Sequence, residues 1–250
     1  MKPIYVKQWH GITLSSVRRF NINKIPEVGF YADFYEKFFK IHHSWEDLEP
    51  DWVDHKINSA KFIQTRLAGR KRSLSIGCGI GVIEKYLLES GLRGLEIHEI
   101  SKEALRWIRP LFEKEAVHFG RLQESMGTSG EYDYIFLSVV DYCLDEQEWA
   151  GLLREVRGLL SSTGRCLVIT PTLHLSQFEF SEMILWIKFK IKIFLSGLGI
   201  YDLGQLVGYR RNKSEFRDAM ISAGFNIREE GFLGRDAMFS KTYWIEGTLV

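Results

Sequence analysis

Three cysteines, five prolines and a near-perfect balance of 33 basic against 32 acidic residues set the first limits on this chain of 250 residues. Cys78, Cys143 and Cys166 form no C-x-x-C pair. A zinc ribbon and a disulfide framework are therefore both excluded by spacing, as expected of a protein from a reducing cytoplasm. A net charge of +1 gives no global field to draw a polyanion, which disfavours nucleic acid as substrate. The longest apolar tract, around residues 183–200, is punctuated by Lys188, Lys190 and Lys192, which argues against a membrane span. No His/Cys/Asp cluster has metal-ligand spacing and no Ser-His-Asp order can be read. The N-terminus has no continuous apolar h-region, so a secretory signal is not expected. Lys2, Lys7, Arg18, Arg19 and Lys24 all precede the first acid, Glu27, and read as a mobile basic arm.

What the chain does have is periodicity. Tyr31, Phe34, Tyr35 and Phe38 recur at helical spacing, so residues 30–68 read as two helical segments broken at Glu49-Pro50-Asp51. Asp51 is the expected cap of the second helix and Gly69 its end. From Ser73 onward strands and helices alternate, the mark of a parallel sheet. Strands are expected at 73–76, 94–100, 116–119, 132–139 and 166–170, and helices at 82–89, 102–112 and 146–160. Ser162-Thr163-Gly164 is the expected turn into the fifth strand. A further helix at 214–223 and two strand-like runs at 226–230 and 238–245 close the chain, the last strand antiparallel.

The chemistry concentrates in the turn "SLSIGCGIG", which sets Gly77, Gly79 and Gly81 between a buried strand and a helix. Glycine there permits positive φ and lets a ligand approach the backbone. The spacing is G-x-G-x-G, not the G-x-G-x-x-G of dinucleotide sites, and Val82 stands where that pattern needs a small residue. Glu99 ends the next strand, where a carboxylate can accept charge-assisted hydrogen bonds from ribose hydroxyls. Glu96 is the rival acid, but it falls inside the strand rather than at its C-terminal edge.

"LSIGCGIGVIEKYL", "GLEIHEISKEAL", "EYDYIFLSVVDYCLDE" and "LLREVRGLLSSTGRCLVITP" together resemble the successive motifs of class I S-adenosylmethionine-dependent methyltransferases, over about residues 73–172. A weaker echo follows in "EFRDAMISAGFNI". The resemblance implies an α/β fold with a Rossmann-like, doubly wound, mostly parallel sheet. Residues 1–70 would form an arm and helical cap, 71–175 the cofactor-binding core, 176–213 a substrate lid, and 214–250 the closing helix and strands. It implies S-adenosylmethionine as cofactor and S-adenosylhomocysteine as product. Gly77, Cys78, Gly79 and Gly81 would line the methionine end, Glu99 would hold the ribose, Ile100 would pack on the adenine, and Leu122 and Gln123 would flank its edge. Ser138, Val139, Asp141 and Tyr142 would lie under the sulfonium. Two departures stand out. Ser75 replaces the acid often found two residues before the first glycine, and Arg121, Leu122 and Gln123 stand where an adenine-binding acid is common. The Asn-Pro-Pro-Tyr type signature of enzymes acting on planar amides or adenine is also absent, with Ser138-Val139-Val140-Asp141 in its place.

Methyl transfer from a sulfonium needs alignment, exclusion of water and, for a hydroxyl or ammonium acceptor, removal of a proton. Asp141 and His174 are the candidate bases, with His42 and His43 behind them. Tyr142, Tyr209 and Arg210 are candidate substrate contacts, and Arg211 adds a second guanidinium suited to a phosphate or carboxylate. Tyr31 and Tyr35 read either as a lid over the cofactor or as packing. Residues 183–200 read as a lid, a homodimer contact or a helix lying on a membrane surface. The function expected is methyl transfer to oxygen or nitrogen of a small molecule or of a lipid- or nucleotide-linked sugar. An NAD(P)-dependent oxidoreductase and a non-catalytic protein of the same fold are the alternatives.

Overall fold

The structure, a computed structural model, describes residues 2–126, 131–171, 187, 190–196, 198, 200–233 and 242–250. Its strands are β1 (Lys2–Val6), β2 (Gln8–Trp9), β3 (Ile12–Thr13), β4 (Ser73–Ile76), β5 (Leu95–Glu99), β6 (Val117–Phe119), β7 (Tyr132–Ser138), β8 (Leu160–Pro171), β9 (Gln205–Arg210), β10 (Phe225–Phe232) and β11 (Thr242–Leu249). The helices used below are α1 (Val28–Ile41), α2 (Pro50–Leu67), α3 (Val82–Glu89), α4 (Leu122–Met126), α5 (Glu146–Leu159) and α6 (Lys213–Ser222).

Seven strands form the central sheet in the order β10-β11-β8-β7-β4-β5-β6. β4 runs parallel to β5 and β7, and β7 runs parallel to β8. β11 is antiparallel to both its neighbours, as expected of the last strand. The strand order reverses at β4, so a crevice opens beyond the ends of β4 and β7, where doubly wound sheets bind their ligands. The two faces of the sheet are written in alternating residues. Ile135 and Leu137 of β7, Cys166 and Val168 of β8, and Tyr243 and Ile245 of β11 pack on one face against Trp149, Leu153 and Val156 of α5 and Phe216 and Met220 of α6. Tyr134, Phe136, Leu167, Ile169 and Trp244 point to the other face, against Ala60, Ile63 and Leu67 of α2 and Ile83 and Leu87 of α3. Period-2 alternation buried on both faces is what a covered sheet requires.

Three local expectations are corrected. Residues 102–112 form 3₁₀ turns at Ala104–Arg106 and Arg109–Leu111, not an α-helix. Pro110 lacks the amide a helix needs and disfavours the α conformation at Arg109. The N-cap of α2 is Glu49, not Asp51, with Pro50 at the first helical positions where its missing N–H costs nothing. β8 begins at Leu160, and the expected turn at 162–164 appears as a register shift against β7 between Tyr132 and Tyr134. The last strand is placed at Thr242–Leu249, so residues 238–241 of the expected run lie outside the described residues.

The N-terminal segment is the largest correction. It is not a loose arm. β1 pairs antiparallel with β9, and β2 and β3 form a hairpin. The buried Gln205 amide donates to the carbonyls of Asn21 (2.7 Å) and Lys24 (2.6 Å), and its carbonyl accepts from Asn21 N (2.9 Å). Arg19 meets Asp33 of α1 at 3.0 Å. Ile12, Leu14 and Val17 are buried with Phe30, Phe34 and Phe38 of α1 in a cluster that reaches Ile80 and Val82 beside the glycine turn. No helix of the described residues is long and apolar enough to cross a membrane.

Candidate functional site

A cavity of about 1240 Å³ opens at the ends of β4, β5 and β7. Pockets for a single ligand run to about 300–1,000 Å³, so this one has room for two. Its floor is the glycine turn. Gly77, Gly79 and Gly81 hold φ of +70°, +56° and +77°. The amides of Gly77 and Cys78 donate to His98 O (2.8 and 3.2 Å), pinning the turn to β5. A Cβ at Gly77 would run into Val140, and one at Gly81 into Ile108, so these glycines serve packing as well as conformation. Gly79 differs: a Cβ there would meet only the Tyr35 hydroxyl, at 3.6 Å. Its bare backbone faces the cavity.

Glu99 lies beside it. The carboxylate accepts from Gly79 N (2.8 Å) and Ser101 N (3.1 Å), and burial raises its pKa above the ordinary carboxylate value. One lone pair on each oxygen stays geometrically available to a ligand hydroxyl. The Ser75 departure also resolves. Its hydroxyl donates to Glu84 Oε1 at 2.5 Å, so α3 delivers to the back of the turn the acid that Ser75 lacks. Burial pushes the Glu84 carboxyl up to about 7, opposed by Ser75 and, more weakly, by the Lys56 ammonium from α2. Both Glu84 and Lys56 line the cavity.

Beyond Glu99, Ile100 and residues 120–124 form the opposite end, with Leu122 buried and Gln123 exposed. Glu124, one residue past the expected position, also lines this end and supplies a carboxylate there. At the end of β7, Ser138 and Val139 face the cavity. Val139 sits at φ +61° with its amide on Ile169 O (2.8 Å). A β-branched residue in this region is an outlier costing about 1–3 kcal/mol, the kind of strain that collects at functional sites. The Ser138 Oγ is buried with no hydrogen-bond partner among the described residues.

Asp141 does not face the cavity, and the expectation that it acts as base is withdrawn. It is buried, accepts from Thr170 Oγ1, and lies 3.6 Å from the Arg211 guanidinium. Burial pushes its carboxyl up to about 6. Arg211, itself buried, donates to the carbonyls of Asp141, Leu144 (2.7 Å) and Asp145 (3.0 Å). The pair is therefore a clamp on the turn that follows β7, and Arg211 is not a substrate contact. Arg210 is likewise not on the cavity wall, whereas Tyr142 and Tyr209 are. His43 is exposed and His42 buried, and neither lines the cavity. His174 lies outside the described residues.

The second wall joins Tyr31, Tyr35 and Tyr209, which the sequence had singled out, to residues that it did not. Ile4 and Val6 of β1, Val207 and Tyr209 of β9, Tyr31, Phe34 and Tyr35 of α1, and the hairpin residues Trp9 and His10 all border the cavity. Tyr31 of α1 and Tyr142 of the turn after β7 both line the cavity, and their phenols influence each other electrostatically. His10 and Gly11 occupy the hairpin turn at φ +46° and +75°, the signs of a type I′ turn. The strained turn inserts His10 between Phe38 and Trp52, with Nδ1 2.7 Å from Glu49 Oε2. Burial lowers the His10 pKa, so the ring is neutral at pH 7. The clue available in the sequence was a two-residue His-Gly turn between short apolar alternations. Among the described residues no group of three or more His, Cys, Asp or Glu could hold a metal ion.

No family model and no curated protein matches this sequence. By structure the chain is similar to magnesium protoporphyrin IX methyltransferase from Synechocystis, solved with bound SAH. The TM-score is 0.60 at 16% identity, covering 88% of this chain and 96% of that one. It is also similar to human N-acetylserotonin methyltransferase in complex with SAM, with a TM-score of 0.55 and 17% identity over 89% of this chain and 56% of that one. A third similar structure is the mitomycin 7-O-methyltransferase MmcR, at 0.54 and 15% identity over 78% of this chain and 54% of the other. The chain thus spans little more than half the length of the last two. At these identities the likeness is one of fold, which is that of the class I methyltransferases.

Proposed function

We propose that this chain, folded as a class I S-adenosylmethionine-dependent methyltransferase, transfers a methyl group from that cofactor to oxygen or nitrogen of a small molecule or of a lipid- or nucleotide-linked sugar. The observation that carries the reading is a single cavity that joins the glycine turn and Glu99 to a separate aromatic wall, with space for cofactor and acceptor together. Three features fit the cofactor: the bare Gly79 backbone, the Glu99 carboxylate beside it and the buried Ser138 Oγ at the strained strand end. Gly77, Cys78, Gly79 and Gly81 would lie along the methionine portion, with Glu84 and Lys56 as carboxyl and ammonium partners for its charged end. Glu99 would take the ribose hydroxyls, and Ile100, Leu122 and Gln123 the adenine. The bound cofactor supplies a methyl group already activated on a sulfonium.

The chain's own work is then positional. Tyr142, Tyr31 and Tyr209 would orient an acceptor at the end of β7. Apolar Ile4, Val6 and Val207 exclude water from that side. Where the acceptor must lose a proton, His10 is the group we assign: neutral, on the cavity wall and held in one orientation by Glu49. Unfolding melts with S-adenosylhomocysteine, S-adenosylmethionine and NADH in parallel test the reading. A ligand at about 100 times its Kd stabilises by about 2.7 kcal/mol, several degrees for a domain of this size. Shifts with the two sulfur ligands support methyl transfer. A shift with NADH alone would replace it with the oxidoreductase reading, and silence with all three would leave a non-catalytic scaffold.

A further inference from the structure

Among the described residues that border the cavity, two carboxyls are buried: Glu84, 2% exposed, and Glu99, 8% exposed. They bracket the glycine turn, and they are provided for differently. Each Glu99 oxygen accepts a backbone amide, from Gly79 or Ser101. Glu84, in the first turn of α3, takes the Ser75 hydroxyl on one oxygen at 2.5 Å, with weaker help from its own backbone amide. A buried carboxyl is settled either by a proton or by a cation held against it. Burial pushes Glu84 up to about 7, so near neutral pH it is poised between the two.

The groups that face Glu84 pull in both directions. Ser75 from β4 and Lys56 from α2 favour the carboxylate, and Glu99 from β5 opposes it. Cys78, on the turn, also feels Glu84, but burial holds its thiol well above the ordinary value and so neutral. The methyl-transfer reading brings a cation to this end of the cavity. The methionine portion of the cofactor carries an α-ammonium, and an ammonium taken out of water needs a carboxylate opposite it. Glu99 already holds two amides and is assigned to the ribose, which leaves Glu84. We propose that the α-ammonium of the cofactor replaces a proton on Glu84, so that binding releases that proton to solvent. The inference rests on the methyl-transfer reading and adds to it a dependence on pH. Below about pH 7 the free protein holds the proton and the ligand must displace it. Affinity therefore falls as pH falls, and levels off at higher pH, where the carboxylate is already ionised.

Titration calorimetry of the full chain with S-adenosylhomocysteine, in pairs of buffers with different ionisation heats, counts the protons. With a free-protein value of about 7, binding should release about 0.9 proton at pH 6 and about 0.1 at pH 8, and be about tenfold weaker at the lower pH. 5′-Methylthioadenosine, which keeps adenine, ribose and sulfur but lacks the ammonium, should release no proton and bind equally at both. Glu84→Gln should abolish the proton release and weaken S-adenosylhomocysteine at about pH 8 at least about tenfold, while leaving 5′-methylthioadenosine within about threefold. Ser75→Ala removes a hydroxyl that favours the carboxylate, so the levelling of affinity should move to higher pH. That variant and the wild-type proton count carry the test even if the melting of Glu84→Gln shows it unfolded. Equal affinity and no proton release at the two pH values would overturn the inference and leave the methyl-transfer reading standing. So would proton release that survives in a folded Glu84→Gln. A pH dependence shared by 5′-methylthioadenosine would also overturn it, moving the proton to Glu99 at the ribose. If neither ligand binds at either pH, the methyl-transfer reading falls and this inference falls with it.

Discussion

Glu99→Ala tests cofactor recognition by the carboxylate that also braces the glycine turn. In the folded protein each carboxylate oxygen already accepts one backbone amide, from Gly79 or Ser101. Two ribose hydroxyls donating to the remaining lone pairs would add charge-assisted bonds worth about 1.5–3 kcal/mol each. Water refills part of the gap in the variant, so a net loss of about 3 kcal/mol is the working figure, or roughly a hundredfold in Kd. At a fixed S-adenosylhomocysteine concentration about 100 times the wild-type Kd, the wild type gains about 2.7 kcal/mol and the variant about 0.4 kcal/mol. A shift of several degrees should shrink to about one degree. The substitution also strands two amides, so the ligand-free midpoint should fall and each protein must be compared with its own ligand-free state. Glu99→Gln keeps an acceptor but sets an NH₂ group against one of the amides, and should lie between the two. A Glu99→Ala variant that binds S-adenosylhomocysteine within about threefold of wild type would refute the assignment of the ribose to this carboxylate.

Four further outcomes follow from the same geometry. The Glu84 carboxyl has a folded pKa of about 7 against 4.5 in the unfolded chain. The stability tied to its protonated form is whole below pH 4.5 and is lost as pH rises to 7, by roughly 3 kcal/mol. Glu84→Gln should therefore flatten denaturant-measured stability across that window, and an unchanged slope would rule out a buried, titrating Glu84. Arg211→Ala removes three carbonyl partners and strands Asp141, so chemical melts should lose about 3–5 kcal/mol, while Asp141→Asn should cost far less. Gly79→Ala, at φ +56° with its Cβ directed toward Tyr35, should cost about 1–2 kcal/mol of stability but weaken S-adenosylhomocysteine at least about tenfold by calorimetry. Gly208→Ala would drive a Cβ into the Tyr142 carbonyl, and should lower the unfolding midpoint by more than Gly79→Ala does.

The sheet and its glycine turn were legible because their signals are local. A buried strand, three glycines and an acid at the next strand end lie within one stretch of chain, and β7 and β8 announce themselves as continuous apolar runs. The parts that were misread depend on partners far away in sequence. β1 is a strand only because β9 lies beside it, and nothing within Lys2–Val6 distinguishes that pairing from a loose arm. Asp141 reads as a ligand-facing acid at a strand end until Arg211 arrives from beyond β9 and pulls it inward. Ser75 reads as a lost acid until the first turn of α3 brings Glu84 back to it. Residues 102–112 were a different failure. Their apolar spacing is helical, and Pro110 outweighed it.

The division between legible and illegible parts follows the division of labour within the cavity. The end suited to the cofactor is drawn from short stretches between residues 76 and 145 at the ends of parallel strands. The aromatic wall comes from the N-terminal hairpin, α1 and β9, elements joined by long-range pairing. The two halves meet at the turn after β7. There Gly208 lets the β9 backbone close on Tyr142, and Arg211 holds three carbonyls. Because this joint is polar, buried and tightly packed, the wall cannot shift without moving the strand end that carries Ser138 and Val139. A change of acceptor is therefore accommodated most cheaply at Ile4, Val6, Val207 and Tyr209, which border the cavity but take no part in the joint.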